Sequence, residues 1–250
     1  MMRCSTDDVQ AARMGGQPWM MSFSGMGEVL GWASRLPLVA DSDRPHILAG
    51  WAQACAGRTP HQRYVPFTAL RNLSPEEFVA VLAEDFRVAG VVVGENYRFG
   101  YKAAGDAKLL QELAHQHGIS VAITELMGAG VPGRVGQVSS SKVRHFLGLG
   151  RMRRVEDLLG RRYRLIASMP CEQIDCPSPS QLRVPAACFC NQPPRPQQYW
   201  VELTVSSASG SQQSFLDVRL DLWSDMSALL TLPSPLQRGK DDALQLVLEF

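Results

Sequence analysis

Apolar residues in this chain come in short blocks separated by polar and glycine-rich turns, and the spacing within the blocks alternates between strand-like and helix-like periods. Trp19-Met20-Met21-Ser22-Phe23 precedes a glycine-rich turn and reads as a buried strand. Asp43 to Ala54 suits a helix with Ile47, Leu48, Trp51 and Cys55 on one face. Tyr64 to Phe67 is a second candidate strand. Ser74, Pro75 and Glu77 form a capping box, and Phe78, Val81, Leu82 and Phe86 then recur as the core stripe of a helix.

Val91-Val92-Val93 follows between glycines and predicts a central parallel strand buried on both faces. The loop Gly94-Glu95-Asn96-Tyr97-Arg98-Phe99-Gly100 leaves it. Asp106 opens the next helix, with the stripe Leu109, Leu110 and Leu113, and Gly118 ends it. Ile119 to Thr124 is another strand. Gly128 to Gly136 is a glycine-rich loop, and Ser139-Ser140-Ser141 leads into a helix carrying Val143, Phe146 and Leu147. A shorter helix, Val155 to Leu159, closes at Gly160. This alternation argues for an α/β fold with a doubly wound parallel sheet, whose ligands bind beyond the carboxyl ends of the strands.

Past Arg164 the texture changes. Prolines gather, and Trp200 to Val205 and Phe215 to Leu222 alternate as strands. A boundary near residue 164 is expected, with a small β-rich domain over 165–250 and an exposed Pro/Gln loop at 191–198.

Composition narrows the class. The 250 residues are 45% hydrophobic and 20% charged, ordinary for a globular chain, with 25 basic and 24 acidic residues. Near-balance excludes a whole-molecule field that draws in polyanions. Locally, Lys142, Arg144, Arg151, Arg153, Arg154, Arg161, Arg162 and Arg164 face only Glu156 and Asp157. That run is either a solvated helical face or a phosphate-attracting surface. It holds few aromatics and no nucleic-acid motif, so no nucleic-acid partner is expected. Nothing approaches the roughly 20 consecutive apolar residues that span a bilayer, and no membrane partner is expected. The six cysteines lack C-x-x-C spacing, and the five histidines form no metal constellation.

Two segments carry candidate chemistry. In Val138-Ser139-Ser140-Ser141-Lys142-Val143-Arg144, a helix start offers unpaired N–H groups and partial positive charge, the serines add donors, and Arg144 adds a fork suited to phosphate oxygens. A plain serine cap with a surface arginine would read the same way. In Gly94 to Gly100, paired glycines permit close backbone approach, Asn96 offers donor and acceptor, and Tyr97 and Phe99 could stack on a flat ring. A turn with packed aromatics is the alternative.

Together the segments are more specific. G-E-N-Y-R-F-G, then V-S-S-S-K-V-R, then Leu158-Leu159-Gly160-Arg161-Arg162-Tyr163 resembles the FAD synthetase family, the adenylyltransferase domains that make FAD from FMN and ATP. Met21 to Trp32, Arg35-Leu36-Pro37, Asp43-Arg44 and Gly94 to Asp106 are similar to the plant and algal plastid-type branch. The resemblance covers about residues 17–164.

It implies a Rossmann-like nucleotidylyltransferase domain over 1–164 and, over 165–250, a degenerate riboflavin-kinase-like barrel. The phosphate of FMN would attack the α-phosphorus of ATP in line, and pyrophosphate would leave. Ser139, Ser140 and Ser141 would hold the ATP phosphates, and Arg144 would stabilise charge on the leaving pyrophosphate, making Arg144, Ser140 and Ser141 the catalytic set. Gly94, Asn96, Phe99 and Phe23 would line the nucleotide and flavin cleft. Mg²⁺ would accompany ATP, and the compartment would be the plastid stroma, otherwise the cytoplasm. No metal-ligating side chains are assigned.

Departures from the pattern are Ser141 for the usual threonine, Lys142 for the common arginine, and Val184-Pro185-Ala186-Ala187 in place of the kinase Pro-Thr-Ala-Asn motif. Family members also carry Gly-x-Phe-Asp-x-x-His-x-Gly-His and its strand ahead of the region matching Gln10 to Gly16. Met1 to Asp8 has no histidine. The expectation is a chain lacking its N-terminal segment, the alternative a catalytically impaired flavin- or nucleotide-binding relative.

Overall fold

A computed structural model describes residues 15–125, 137–237 and 243–250. The chain folds into two compact units, one of residues 1–34 and 45–137, the other of 35–44 and 138–250. The glycine-rich loop expected at 128–136 lies outside the described residues.

Unit 1 is mixed α/β with parallel strands. β1 (Trp19–Ser24) pairs in parallel with β2 (His61–Pro66), in register Trp19 to His61 through Ser24 to Pro66. β3 (Gly90–Gly94) pairs in parallel with β4 (Ser120–Thr124). Among the described strands these remain two separate two-stranded sheets. One core nonetheless serves both: Val65, Leu70, Phe78, Val79, Leu82, Phe99, Leu110, Ala114 and Ile119 are buried together, with Met21, Phe23, Val91 and Val93 packed against them.

The helices of unit 1 follow their local signals. α1 (Arg44–Gly50) buries Leu48 and stops at Gly50, short of the expected Ala54, so Trp51 stands exposed beyond it. α2 (Pro75–Glu84) starts on the reciprocal box: the Glu77 N–H donates to Ser74 Oγ at 3.2 Å and the Ser74 N–H to Glu77 Oε2 at 2.7 Å. Asp106 caps α3 (Ala107–Gln116) by accepting from the Leu109 N–H at 2.9 Å, which also holds its carboxyl below the usual range. Val92 departs from the expectation of burial on both faces, being 53% exposed. Period-two geometry sends it to the face opposite Val91 and Val93, which the described core does not cover.

Unit 2 is built on one seven-stranded antiparallel sheet. Its strands are β5 (Arg164–Met169), β6 (Asp175–Ser178), β7 (Gln181–Val184), β8 (Gln198–Ser207), β9 (Gln212–Leu222), β10 (Ala228–Thr231) and β11 (Leu244–Glu249). They lie in the order β5-β11-β8-β9-β10-β7-β6. Strict alternation puts Tyr199, Val201, Leu203 and Val205 of β8 inside. Two helices share that core. α4 (Ser140–Gly148) contributes Val143 and Leu147, and α5 (Met152–Leu159), which Gly160 ends in left-handed conformation (φ 67°), contributes Val155. Packing therefore divides the chain before α4, ahead of the composition change at residue 164.

The Pro/Gln stretch expected to be exposed is a strap that is buried in its first half and exposed at Arg195, Gln197 and Gln198. Asn191, Pro193 and Pro194 are buried, and the Arg195 N–H donates to the Leu147 carbonyl at 2.8 Å. Prolines have no N–H to leave unsatisfied, so a proline-rich segment can pack inside where another loop would need partners.

Tyr199 ties the strap to β8. Its hydroxyl donates to the Arg195 carbonyl at 2.7 Å, and burial pushes the phenol up to about 12. The unfolded phenol titrates near 10, so the folded state holds the proton more tightly. That contribution is whole below pH 10 and is lost as pH rises through 12. Unit 2 is expected to melt at progressively lower temperature from pH 10 to 12, and Tyr199→Phe to flatten part of that slope. Melting curves at pH 9 to 12 check it, and an unchanged slope in the variant counts against it. Burial shifts Tyr163 in the same direction, which is why the flattening is partial.

Candidate functional site

The residues expected to bind ligand divide between the units: Phe23, Gly94, Asn96 and Phe99 belong to unit 1, and Ser139, Ser140, Ser141 and Arg144 to unit 2.

In unit 1 the chain leaves β3 through a tight turn. The Tyr97 N–H donates to the Gly94 carbonyl at 2.9 Å, and the Glu95 N–H donates to the Thr124 carbonyl of β4 at 2.9 Å. Asn96 is exposed at the tip. A Cβ on Gly94 would lie 3.2 Å from Asn96 Oδ1, so the missing side chain gives that amide its place. Phe23, half-buried near the end of β1, has its ring 6.4 Å from that of Phe67.

Phe99 is only 6% exposed and packs within the core, 5.3 Å from the Phe78 ring and stacked 5.9 Å from Tyr97. Opposite it, Gly105 pairs with Phe99 across a short antiparallel bridge, and a Cβ there would stand 2.5 Å from the Phe99 ring. Gly105→Ala is expected to destabilise unit 1 by about 1–3 kcal/mol through overpacking. Urea unfolding measures this, and a change below about 0.5 kcal/mol would show the ring free to move aside. Next to this pair, Lys102 and Ala103 hold positive φ angles of 54° and 57°, local strain adjoining the turn.

In unit 2, Ser139 has extended backbone and its Oγ accepts from the Lys142 N–H at 3.3 Å, the N-cap arrangement of α4. Ser140 and Ser141 are exposed in the first turn, where amides have no acceptor within the helix. Arg144 is half-buried one turn in. Its Nη1 donates to the Leu36 carbonyl at 3.0 Å and to Gln192 Oε1, and its Nε is buried without a partner among the described residues. Burial foremost, then the neighbouring Arg35, lowers its pKa.

Around Arg144 runs a network that sequence reading missed. Asn191, fully buried, donates to the Leu38 carbonyl (3.1 Å), the Arg164 carbonyl (2.9 Å) and the Tyr163 hydroxyl (3.1 Å), and accepts from the Ile166 N–H (2.8 Å). Tyr163 Oη donates to the Gln192 carbonyl at 2.5 Å, and the Gln192 N–H donates to the Pro37 carbonyl at 2.9 Å. Arg164 reaches Asp43 at 3.0 Å and also pairs with Glu249. The segment 35–44 is stitched into unit 2 by these bonds.

Much of the basic run is engaged internally. Arg162 pairs with Glu202 at 2.6 Å and Arg154 with Asp157 at 3.6 Å, besides Arg164 and Arg144. No group of three or more His, Cys, Asp or Glu side chains suited to a metal ion gathers among the described residues. The donors at α4, hydroxyls and a guanidinium, suit phosphate oxygens and do not fit a resident cation.

The family model for FAD synthetase matches residues 61–141, a span that holds the Gly94–Gly100 turn and ends on Ser141 in the first turn of α4. FAD synthetase 2, chloroplastic, of Arabidopsis thaliana is 43% identical over 196 residues, covering 74% of this chain and 53% of the relative. FAD synthetase 1, chloroplastic, of the same plant is 44% identical over 172 residues, covering 64% and 48%. The chain is similar to these FAD synthetases over about three quarters of its length.

It spans about half the length of these curated relatives. The family match takes in Gly94, Asn96, Phe99 and Ser139 to Ser141, whereas Phe23 and Arg144 lie outside it. A solved structure described as a macrolide-efflux protein from Streptococcus pneumoniae aligns with a TM-score of 0.71 at 14% identity, covering 96% of this chain and 75% of that one. At that identity the likeness speaks to fold alone. No helix among the described residues is long and apolar enough to cross a membrane.

Proposed function

We propose that this protein is an FMN adenylyltransferase, transferring AMP from ATP to FMN to give FAD and pyrophosphate. The observation that carries the proposal is the 43% identity to a chloroplastic FAD synthetase, with the family match running through the Gly94 turn to the serine-capped start of α4. Unit 1 is taken as the Rossmann-like nucleotidylyltransferase domain with a doubly wound sheet. The sheet of unit 2 is taken as a degenerate riboflavin-kinase-like barrel. The names of the relatives support a plastid location.

The chemistry asks little covalent work of the protein. An FMN phosphate oxygen forms the bond to the α-phosphorus of ATP as the bond to pyrophosphate breaks, so the protein's part is positioning and neutralising charge. Ser139, Ser140 and Ser141 would offer hydroxyls and first-turn amides to ATP phosphates, and Arg144 would meet charge growing on the departing pyrophosphate. Gly94 and Asn96 would meet nucleotide or flavin at the turn, Phe23 would lend an aromatic face, and the buried Phe99 would support Tyr97. Mg²⁺ would arrive on the ATP phosphates as part of the substrate.

The deciding experiment supplies FMN, ATP and Mg²⁺ to the 250-residue chain, and to a version extended to its relatives' length, and quantifies FAD. FAD from either supports the proposal. No FAD from either, with FMN and ATP still bound, points to the alternative of an impaired flavin- and nucleotide-binding relative.

A further inference from the structure

Arg144 is the residue on which the proposed chemistry leans most, yet nothing on its own helix holds its guanidinium. The two acceptors of its Nη1 come from elsewhere in unit 2: the Leu36 carbonyl and the side chain of Gln192, which leads the strap into the antiparallel sheet. Gln192 is itself immobilised. Its N–H is tied to the Pro37 carbonyl, its carbonyl takes the Tyr163 hydroxyl, and the neighbouring Asn191 is buried with four hydrogen bonds. The strap is anchored again at Arg195, whose N–H meets the Leu147 carbonyl near the far end of the helix that carries Arg144. Gln192 and Arg144 are thus two ends of one braced frame.

We infer that Gln192 is the positioning residue for Arg144, holding one edge of the guanidinium with a neutral acceptor while leaving its charge and remaining N–H groups for a phosphate. This rests on the phosphate-binding reading of Arg144. Arginine presents five donors in a fixed plane, so pinning one nitrogen fixes where the others point. A carboxylate at position 192 would pin the group equally well but cancel the charge the phosphate needs. The amide supplies geometry without neutralisation. The sheet of unit 2 thereby acquires a role: it carries the strap that aims the phosphate-binding arginine.

The test is binding of inorganic pyrophosphate to the 250-residue chain by calorimetry, for the wild type, Arg144→Ala, Gln192→Ala and Gln192→Glu, with melting temperatures alongside. Arg144→Ala is expected to weaken binding about 30-fold or more. Gln192→Ala should weaken it about three- to tenfold, the effect of freeing a side chain that had been held still. Gln192→Glu should weaken it beyond the alanine variant, and the deficit relative to wild type at the same pH should shrink as pH falls from 7 to 4.5 and the introduced carboxylate protonates. A merely structural role for Gln192 would show in the melting temperature of Gln192→Ala, whereas the positioning role predicts weaker binding with the melting temperature kept. Should Gln192→Ala prove too unstable to measure, the pH profile of the near-isosteric Gln192→Glu carries the decision.

If Arg144→Ala abolishes binding while Gln192→Ala matches wild type and Gln192→Glu shows no pH-dependent deficit, the positioning role is wrong and the reading of Arg144 stands. If the wild type does not bind pyrophosphate, or Arg144→Ala binds it as well as wild type does, the reading of Arg144 fails and this inference falls with it.

Discussion

Arg144→Ala, in an FAD-forming version of this protein, is expected to lower turnover about 100- to 1000-fold, the usual cost of one charge contact made chiefly in the transition state. In the proposed reaction negative charge builds on the bridging oxygen as pyrophosphate departs, and a guanidinium already fixed at that place would stabilise it without reorganising. Because the contact strengthens as the bond breaks, kcat should fall much more than KM rises. Arg144→Lys should recover little. An ammonium keeps the charge but loses the planar fork, and with it the simultaneous hold of the Leu36 carbonyl and Gln192. Steady-state kinetics with FMN and ATP at saturating Mg²⁺ decide it, with a melting curve to show the fold intact. A loss below threefold would remove Arg144 from the reaction.

Asn191→Ala should cost unit 2 about 2–4 kcal/mol of stability. The residue is fully buried, and its amide serves two carbonyls, a tyrosine hydroxyl and the Ile166 N–H. Truncation takes this partner from the Ile166 N–H and the Leu38 and Arg164 carbonyls in a place water does not readily reach, while the Tyr163 hydroxyl keeps the Gln192 carbonyl, and an orphaned buried polar group costs about 1–3 kcal/mol. The effects here are shared within one network, so they will not simply add. Urea unfolding followed through Trp200 and Trp223, both in unit 2, reports on the right half of the chain. A loss below 1 kcal/mol would mean that the strap relaxes to satisfy its own groups. Asn191→Asp should be no rescue. The carboxylate can still accept from Ile166, but it has no N–H to give to Leu38 or Arg164 and would place charge against their carbonyls.

The elements that could be read in advance share a physical character: their signals are local. The capping box at Ser74–Glu77, the Asp106 cap and the Ser139 cap are settled within four residues, and each is found in the structure. The β-branched run at Val91–Val93 forms a strand, and the alternation from Trp200 and from Phe215 onward appears in β8 and β9. The two candidate segments are local in the same sense: the Gly94–Gly100 turn and the serine-capped helix start are settled by near neighbours, and the family match runs through the turn to Ser141.

What failed to show in advance depended on partners distant in sequence. Val92 has the same composition around it as Val91, and only the covering layer distinguishes the exposed one from its half-buried neighbour. Phe99 sits in a motif that suggested a ligand-facing ring, but the space left by Gly105 drew it into the core beside Phe78. The 191–198 stretch looked like solvent-exposed loop by composition and is exposed at Arg195, Gln197 and Gln198, yet the polar groups of Asn191 and Gln192 find acceptors and donors on residues 37, 38, 163, 164 and 166.

Taken alone, the sequence determined the secondary-structure periods, the helix caps, the parallel character of the first half, the strand-rich character of the second and the resemblance to FAD synthetases. Each of these is written in spacing and residue type over a few neighbouring positions. Tertiary structure alone decided that α4 and α5 share a core with the antiparallel sheet, that residues 35–44 are stitched to that sheet, and that Arg144 is held by Gln192. Those outcomes are choices among distant partners made by burial and by the need to pair every buried polar group, and no local pattern encodes which partner will be at hand.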